Sequence, residues 1–210
     1  MAVAAITIEQ LRPALVLLDF AGVAVFALTG ALAAARSKQT IITFAFFAAI
    51  TGIGGGTLRD LLIDAPVFWV RRPDYLLVCF GVALAAWLVR AERWPGRALV
   101  WLDAIGMAAF AVVGAAKTMG YGLPPIVAIV MGVLTATFGG IIRDVLAGEP
   151  SMLLGPEIYI SAAVVSAAVY VALTLVGLPL FAAGIIGALA GFGLRAAAIR
   201  FNLKLPGYRG

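Results

Sequence analysis

One phrase occurs twice in this chain. Gly55-Gly56-Thr57-Leu58-Arg59-Asp60 returns as Gly139-Gly140-Ile141-Ile142-Arg143-Asp144, an offset of 84 residues (143 − 59 = 84). The same offset carries Asp19, Gly22, Phe26, Ala27, Gly30 and Ala31 onto Asp103, Gly106, Phe110, Ala111, Gly114 and Ala115. It holds without a gap from Leu18 to Tyr75, with Thr51/Thr135, Pro66/Pro150 and Tyr75/Tyr159 among the matches. The chain is therefore a duplication, and its fold must be one that two copies of the same unit can build together.

Composition sets the solvent for that fold. Hydrophobic residues make up 64% of the 210 and charged residues 12%, against about 45–50% and about 25% in soluble domains. The reading is an all-α integral membrane protein. There is no His, which excludes imidazole ligands and His proton relays, and the single Cys79 cannot form an intrachain disulfide. No cofactor and no metal site are expected. The net charge of +5 reads as a report of membrane orientation, not of nucleic-acid binding. Met1 to Ile8 lack a basic n-region and Arg12-Pro13 leads into a full-length span, so the mature chain is expected to begin at or near Met1.

A helix needs about 20 mostly apolar residues to cross the hydrocarbon layer. Seven spans are predicted, at 14–35, 40–63, 75–89, 98–116, 124–147, 158–176 and 178–199. They form a single membrane domain over 1–210: a first three-helix repeat at 14–89, a second at 98–176, and a seventh helix at 178–199. Arg36, Lys38, Arg90, Arg93, Arg97, Arg200, Lys204 and Arg209 fall on one side; Arg12, Arg71, Arg72 and Lys117 fall on the other. The larger set is expected to be cytoplasmic, with the N-terminus outside and the C-terminus inside the cell's inner (plasma) membrane. Three spans per copy is an odd number, so the second copy is expected to sit upside down relative to the first.

The candidate functional residues lie where the copies match best. Gly54, Gly55 and Gly56, with Gly139 and Gly140, cluster late in the second and fifth spans. Glycine in a helix interior costs about 0.8–1 kcal/mol relative to Ala, and in lipid it also permits close helix packing. Close packing is one reading. The other is a pair of interrupted helices facing a cavity, favoured by the clusters' matching positions and by the Arg-Asp after each. Arg59, Asp60, Arg143 and Asp144 are either interfacial anchors or, with Asp19 and Asp103, a charged latch. In this topology Asp19 reaches the side where Arg59 ends its span, and Asp103 the side of Arg143. Thr51 and Thr135 are either back-bonded to their own helices or oxygen ligands on a hydrated path. Ser161, Ser166 and Thr174 read as packing residues, and Gly184, Gly187, Gly191 and Gly193 as a close-packing surface. No Ser–His or Cys–His pair, metal cluster or Walker sequence is present, so an enzyme is not expected.

With these motifs the chain resembles the prokaryotic branch of the trimeric intracellular cation channel (TRIC) family, from about Leu18 to Ile199. The resemblance implies a homotrimer in membrane lipid with one pore inside each protomer. It implies permeation by monovalent cations, potassium favoured and sodium second. It further implies that the second and fifth helices bend at Gly54–Gly56 and at Gly139 and Gly140 to line the path. In animal members a basic residue of the second motif contacts an inositol lipid; the matching position here is Arg143. The chain has no Thr-Val-Gly-Tyr-Gly filter, so weak discrimination among cations is expected. The alternative function is a secondary transporter of a small solute such as glycine, since some bacterial relatives resemble glycine transporters.

Overall fold

The computed structural model describes residues 8–90, 93–152 and 158–206, with the backbone alone over 8–18. Within them lie α1 (Ile8–Arg36), α2 (Ile41–Leu62), α3 (Phe68–Arg71), α4 (Asp74–Leu88), α5 (Ala98–Gly120), α6 (Pro125–Ala147), α7 (Ile160–Leu175) and α8 (Leu180–Phe201). The described residues hold no sheet. Seven of the helices correspond to the seven predicted spans. The added α3 is a single turn in the connection after α2. Five helices are long and apolar enough to cross a bilayer by themselves, while α4 and α7 are shorter apolar helices. The expected start at Met1, the side chain of Arg12, and Arg209 lie outside what is described.

Local chemistry explains the helix ends. Thr40 caps α2, its hydroxyl accepting from the Thr43 amide at 3.4 Å. Pro125 opens α6, where a missing amide N–H costs nothing. The same helix stops at Gly148, in the left-handed region at φ 68°. Gly177, at φ 85°, turns the chain between α7 and α8.

Packing repeats with the sequence. In the first copy α1, α2 and α4 touch pairwise; in the second, α5, α6 and α7 do the same. The copies meet through α1 against α5 and α2 against α6, while α8 packs on α5 and α7 outside the duplicated unit.

The contacts between copies are reciprocal. Gly22 lies against Phe110, and its mate Gly106 lies against Phe26. Phe26 and Phe110, themselves a repeat pair, bring their ring centroids to 5.1 Å. Gly55 abuts the Thr135 carbonyl, and its mate Gly139 abuts the Thr51 carbonyl. Position i of one copy thus meets position j of the other wherever j of the first meets i of the second. In each pair the earlier residue of one helix meets the later residue of its mate. The paired helices are therefore antiparallel.

At both α2–α6 contacts an added Cβ would collide with backbone, which cannot swing aside as a side chain can. Gly55→Ala and Gly139→Ala are each expected to cost about 1–3 kcal/mol through overpacking, lowering the melting temperature of the detergent-solubilised protein. Gly81→Ala, where a Cβ meets nothing within 4 Å, should leave it level or raise it.

Candidate functional site

The glycine segments do not interrupt their helices. Both α2 and α6 are continuous through Gly54–Gly56 and through Gly139 and Gly140, which corrects the expectation of broken helices. The helical hydrogen bonds are retained because the glycines face protein, not a cavity, and each admits a specific neighbour. Gly54 faces Ile142 and Gly139, Gly55 the Thr135 carbonyl, and Gly56 the Phe68 ring. Gly140 opens space for Asp103, Tyr159 and Arg143 together. The two threonines differ. Thr135 donates back to the Met131 carbonyl at 2.6 Å, the ordinary use of a helical hydroxyl. Thr51 is buried, and its hydroxyl has no hydrogen-bond partner among the described residues; it packs against Gly30.

Beyond each glycine pair, the Arg-Asp motif folds back on itself. Arg143 donates from Nε to Asp144 Oδ1 at 2.9 Å, and Asp144 Oδ2 accepts the Met152 amide at 3.0 Å. In the first copy Arg59 Nε donates to Asp60 Oδ1 at 2.8 Å, and Asp60 Oδ2 accepts the Phe68 amide at 3.0 Å. Phe68 and Met152 are also a repeat pair. Each Asp therefore does two things: it neutralises its neighbouring guanidinium, and it staples the connection leaving the helix. Arg59, Asp60, Arg143 and Asp144 are all buried. Charges taken out of water need partners of this kind, since removing one partner leaves the other uncompensated.

Around that shared frame the two ends differ. Arg143 Nη1 pairs with Asp103 Oδ1 at 2.7 Å and donates to Thr29 Oγ1 at 3.0 Å, so it is tied to α5 and α1 as well as to its own helix. This is the latch geometry expected of Asp103 and Arg143. The matching Asp19–Arg59 bridge does not form. Asp19 instead accepts from the Tyr75 hydroxyl at 2.8 Å, while Arg59 lies 5.9 Å from the Phe68 ring centroid. Lys117 takes the place of that bridge: its Nζ reaches Asp60 Oδ1 at 2.8 Å. It belongs to the last turn of α5, not to the loop to which hydropathy assigned it. Its repeat mate is Ala33, and the mate of Thr29 is Val113, so neither contact has a counterpart. Asp144 also borders a recess of about 170 Å3 lined in part by Arg36, Ser37 and Glu149, which opens this end of α6 toward the surface.

The structure thus gathers Thr51, Gly54, Gly55, Thr135 and Gly139 at the crossing of α2 and α6. It places one charged network beyond each end: Arg59, Asp60 and Lys117, with Asp19 nearby, at one; Arg143, Asp144, Asp103 and Thr29 at the other. Tyr75, Tyr159, Lys117, Thr29 and Phe68 were not selected from the sequence. The two tyrosines were visible there as a repeat match, Tyr75/Tyr159, and that was the available signal.

These features match known proteins over nearly the whole chain. A family model described as "Glycine transporter" matches twice, over residues 16–91 and 100–175, the same register as the internal repeat. Among curated relatives, the UPF0126 inner membrane protein YadS of Escherichia coli K12 is 40% identical over 193 residues, covering 90% of this chain and 93% of the relative. A UPF0126 membrane protein of Vibrio cholerae is 39% identical over 198 residues, covering 91% and 82%. Among solved structures, the TRIC trimeric intracellular cation channel orthologue from Rhodobacter sphaeroides superposes with a TM-score of 0.88 at 46% identity, covering 90% of this chain and 99% of that one. The chain belongs to the TRIC family. A prokaryotic TRIC channel crystallised in 0.5 M KCl aligns with a TM-score of 0.85 at 29% identity, covering 92% and 100%. The family's fold is therefore that of a multi-pass membrane protein, and this chain carries it with the asymmetric charged ends described above.

The asymmetry makes a stability prediction. Arg143→Ala strips both Asp103 and Asp144 of their cation and is expected to cost about 3–5 kcal/mol, as breaking a buried pair does. Arg59→Ala leaves Lys117 on Asp60 and should cost less. Arg59→Ala with Lys117→Ala should exceed the sum of the single changes, because Asp60 then has neither partner. Thermal unfolding of the four variants in one detergent gives the comparison; equal losses for Arg59→Ala and Arg143→Ala would contradict it.

Proposed function

We propose that this protein is a cation channel rather than an enzyme, permeable to potassium and secondarily to sodium. Its path lies within each protomer, along the crossing of α2 and α6, and the protein works as a homotrimer. Solved structures with this fold are described as cation channels, one of them as a trimeric intracellular cation channel. The observation that carries the reading is the reciprocal contact of Gly55 with the Thr135 carbonyl and Gly139 with the Thr51 carbonyl. At these two points the helices meet glycine to carbonyl, with no side chain between the main chains. A small separation of α2 from α6 exposes carbonyl and hydroxyl oxygens of Thr51 and Thr135 to a passing cation. Oxygens of that kind, without a rigid ring, discriminate weakly among monovalent cations.

The charged networks act at the two ends of this path. Bare guanidinium there repels cations, and Asp60 and Asp144 neutralise it. Arg143 holds α6 to α5 and α1, so it governs whether α6 can move, more than which ion passes. In bilayer recordings of the purified protein under a potassium gradient, the reversal potential is expected to follow potassium and to move only modestly when sodium replaces it. Arg143→Ala should change open probability severalfold and leave the permeability ratio as it was. A shifted ratio with unchanged gating contradicts the assignment. The competing reading is a glycine carrier, favoured by the description of the matching family model. Saturable labelled-glycine uptake with counterflow in proteoliposomes, without potassium flux, would establish the carrier instead.

The antiparallel, reciprocal contacts support a pseudo-two-fold axis in the membrane plane, with the N-terminus outside and the C-terminus cytoplasmic. In a Cys79→Ala background, a cysteine replacing Ser37 is expected to react with impermeant thiol reagent only from inside. A cysteine replacing Asp74 should react only from outside. Labelling of both from one side overturns the topology.

A further inference from the structure

A recess of about 450 Å3 lies away from the α2–α6 crossing. It is bounded by Ala35, Lys38, Gln39, Phe44, Trp87 and Arg90, where α1 ends, α2 begins and α4 ends. Its volume falls within the range of small-ligand sites, about 300–1,000 Å3. Two cations face it. Neither Lys38 nor Arg90 has an ion pair among the described residues; Glu92, close by in sequence, lies outside them. Arg36, by contrast, is committed to the Gly96 carbonyl at 2.6 Å. The first turn of α2, the positive end of its dipole, reaches the same recess through Phe44.

The duplication supplies an internal control. Carried across the repeat, Lys38 becomes Gly122, Trp87 becomes Val171 and Arg90 becomes Thr174. The second copy folds the same way without a cation at either position. Backbone conformation strengthens the point. Lys38 and Arg90 both sit in the left-handed region, at φ 51° and 53°, where a Cβ is strained and glycine is favoured. The second copy turns at glycine after the matching helices: at Gly122, the mate of Lys38, at φ 74°, and after α7 at Gly177, three residues past the mate of Arg90, at φ 85°. The first copy therefore keeps two cations where the backbone favours glycine, and both border one cavity.

Charge and geometry select an anion, and the surroundings select its source. Trp87 forms an edge-to-face pair with Phe44, centroids 5.0 Å apart, and is itself 42% exposed. Leu84 and Leu88 on α4, Val89 just after it, and Ile42 and Phe46 on α2 are exposed apolar residues. A tryptophan between cations and an exposed apolar face marks the level where headgroups meet acyl chains. We propose that this recess binds the phosphate of an anionic phospholipid. Lys38 and Arg90 take the phosphate, and the acyl chains lie along the exposed faces of α4 and α2. This site is separate from the Arg143 network, and it belongs to the first copy alone.

The test uses the full-length detergent-purified protein, titrated with phosphatidylglycerol or phosphatidylcholine and read by native mass spectrometry. Retention of phosphatidylglycerol over phosphatidylcholine is expected, and Lys38→Gln with Arg90→Gln should weaken it by about fivefold for each cation removed. Arg200→Gln with Lys204→Gln, on other basic residues of the chain, should leave it unchanged. Trp87→Ala should weaken the lipid but not glycerol phosphate. Unaltered retention in the Lys38/Arg90 double variant overturns the proposal, and so does equal loss in the Arg200/Lys204 control, which would mean general surface charge. Displacement by glycerol phosphate at matching concentration would assign the recess to a soluble anion and also overturn it. Should the double variant melt early in phosphatidylcholine alone, Lys38→Arg with Arg90→Lys replaces it: this pair keeps both charges and must keep the lipid.

Discussion

The structure depends on a contact between glycine and backbone carbonyl. In a bilayer, lipid tails are as apolar as the side chains they touch, so helices associate by close packing and hydrogen bonding, not by escape from water. Gly55 against the Thr135 carbonyl and Gly139 against the Thr51 carbonyl bring two main chains together with nothing between them. Gly22 and Gly106 join α1 to α5 differently, each making room for a ring of the facing helix, Phe110 and Phe26. Because each contact has its reciprocal, one substitution pattern serves both copies, and the duplicated unit is complementary to itself in an antiparallel pose.

Around this symmetric frame the charges are not symmetric. Each Arg-Asp motif has the same inner bonds, Nε to Oδ1 and an amide eight residues on to Oδ2. What surrounds them has diverged: Lys117 stands opposite Ala33, and Thr29 opposite Val113. One end is held by a lysine reaching from α5, the other by an arginine reaching into α5 and α1. Departures of this kind are what make the two ends of the duplicated unit unlike.

Much of the fold was legible because it rests on period and composition. Seven apolar stretches located seven helices, since hydrocarbon thickness dictates length. The site was only partly legible. The Asp103–Arg143 pair follows from antiparallel neighbours with matching ends. Asp19–Arg59 obeys the same logic, yet Tyr75 takes the carboxylate, because a hydroxyl on α4 competes for it and helix topology alone does not rank two donors. The glycines were read as breaks because the cost of glycine is visible in a sequence while the neighbour that justifies it is not. Lys117 was assigned to a loop because hydropathy places a cation outside, whereas its long side chain finds Asp60 within the protein.

The amide bonds to Asp60 and Asp144 have a mechanical consequence. Each carboxylate has one oxygen on its arginine and the other on the main chain beyond the helix, at Phe68 or Met152. Tugging either connection away therefore loosens the counter-charge of a guanidinium that has little water to replace it. The connections that follow α2 and α6 are thus coupled mechanically to the charge balance of the helix ends they leave.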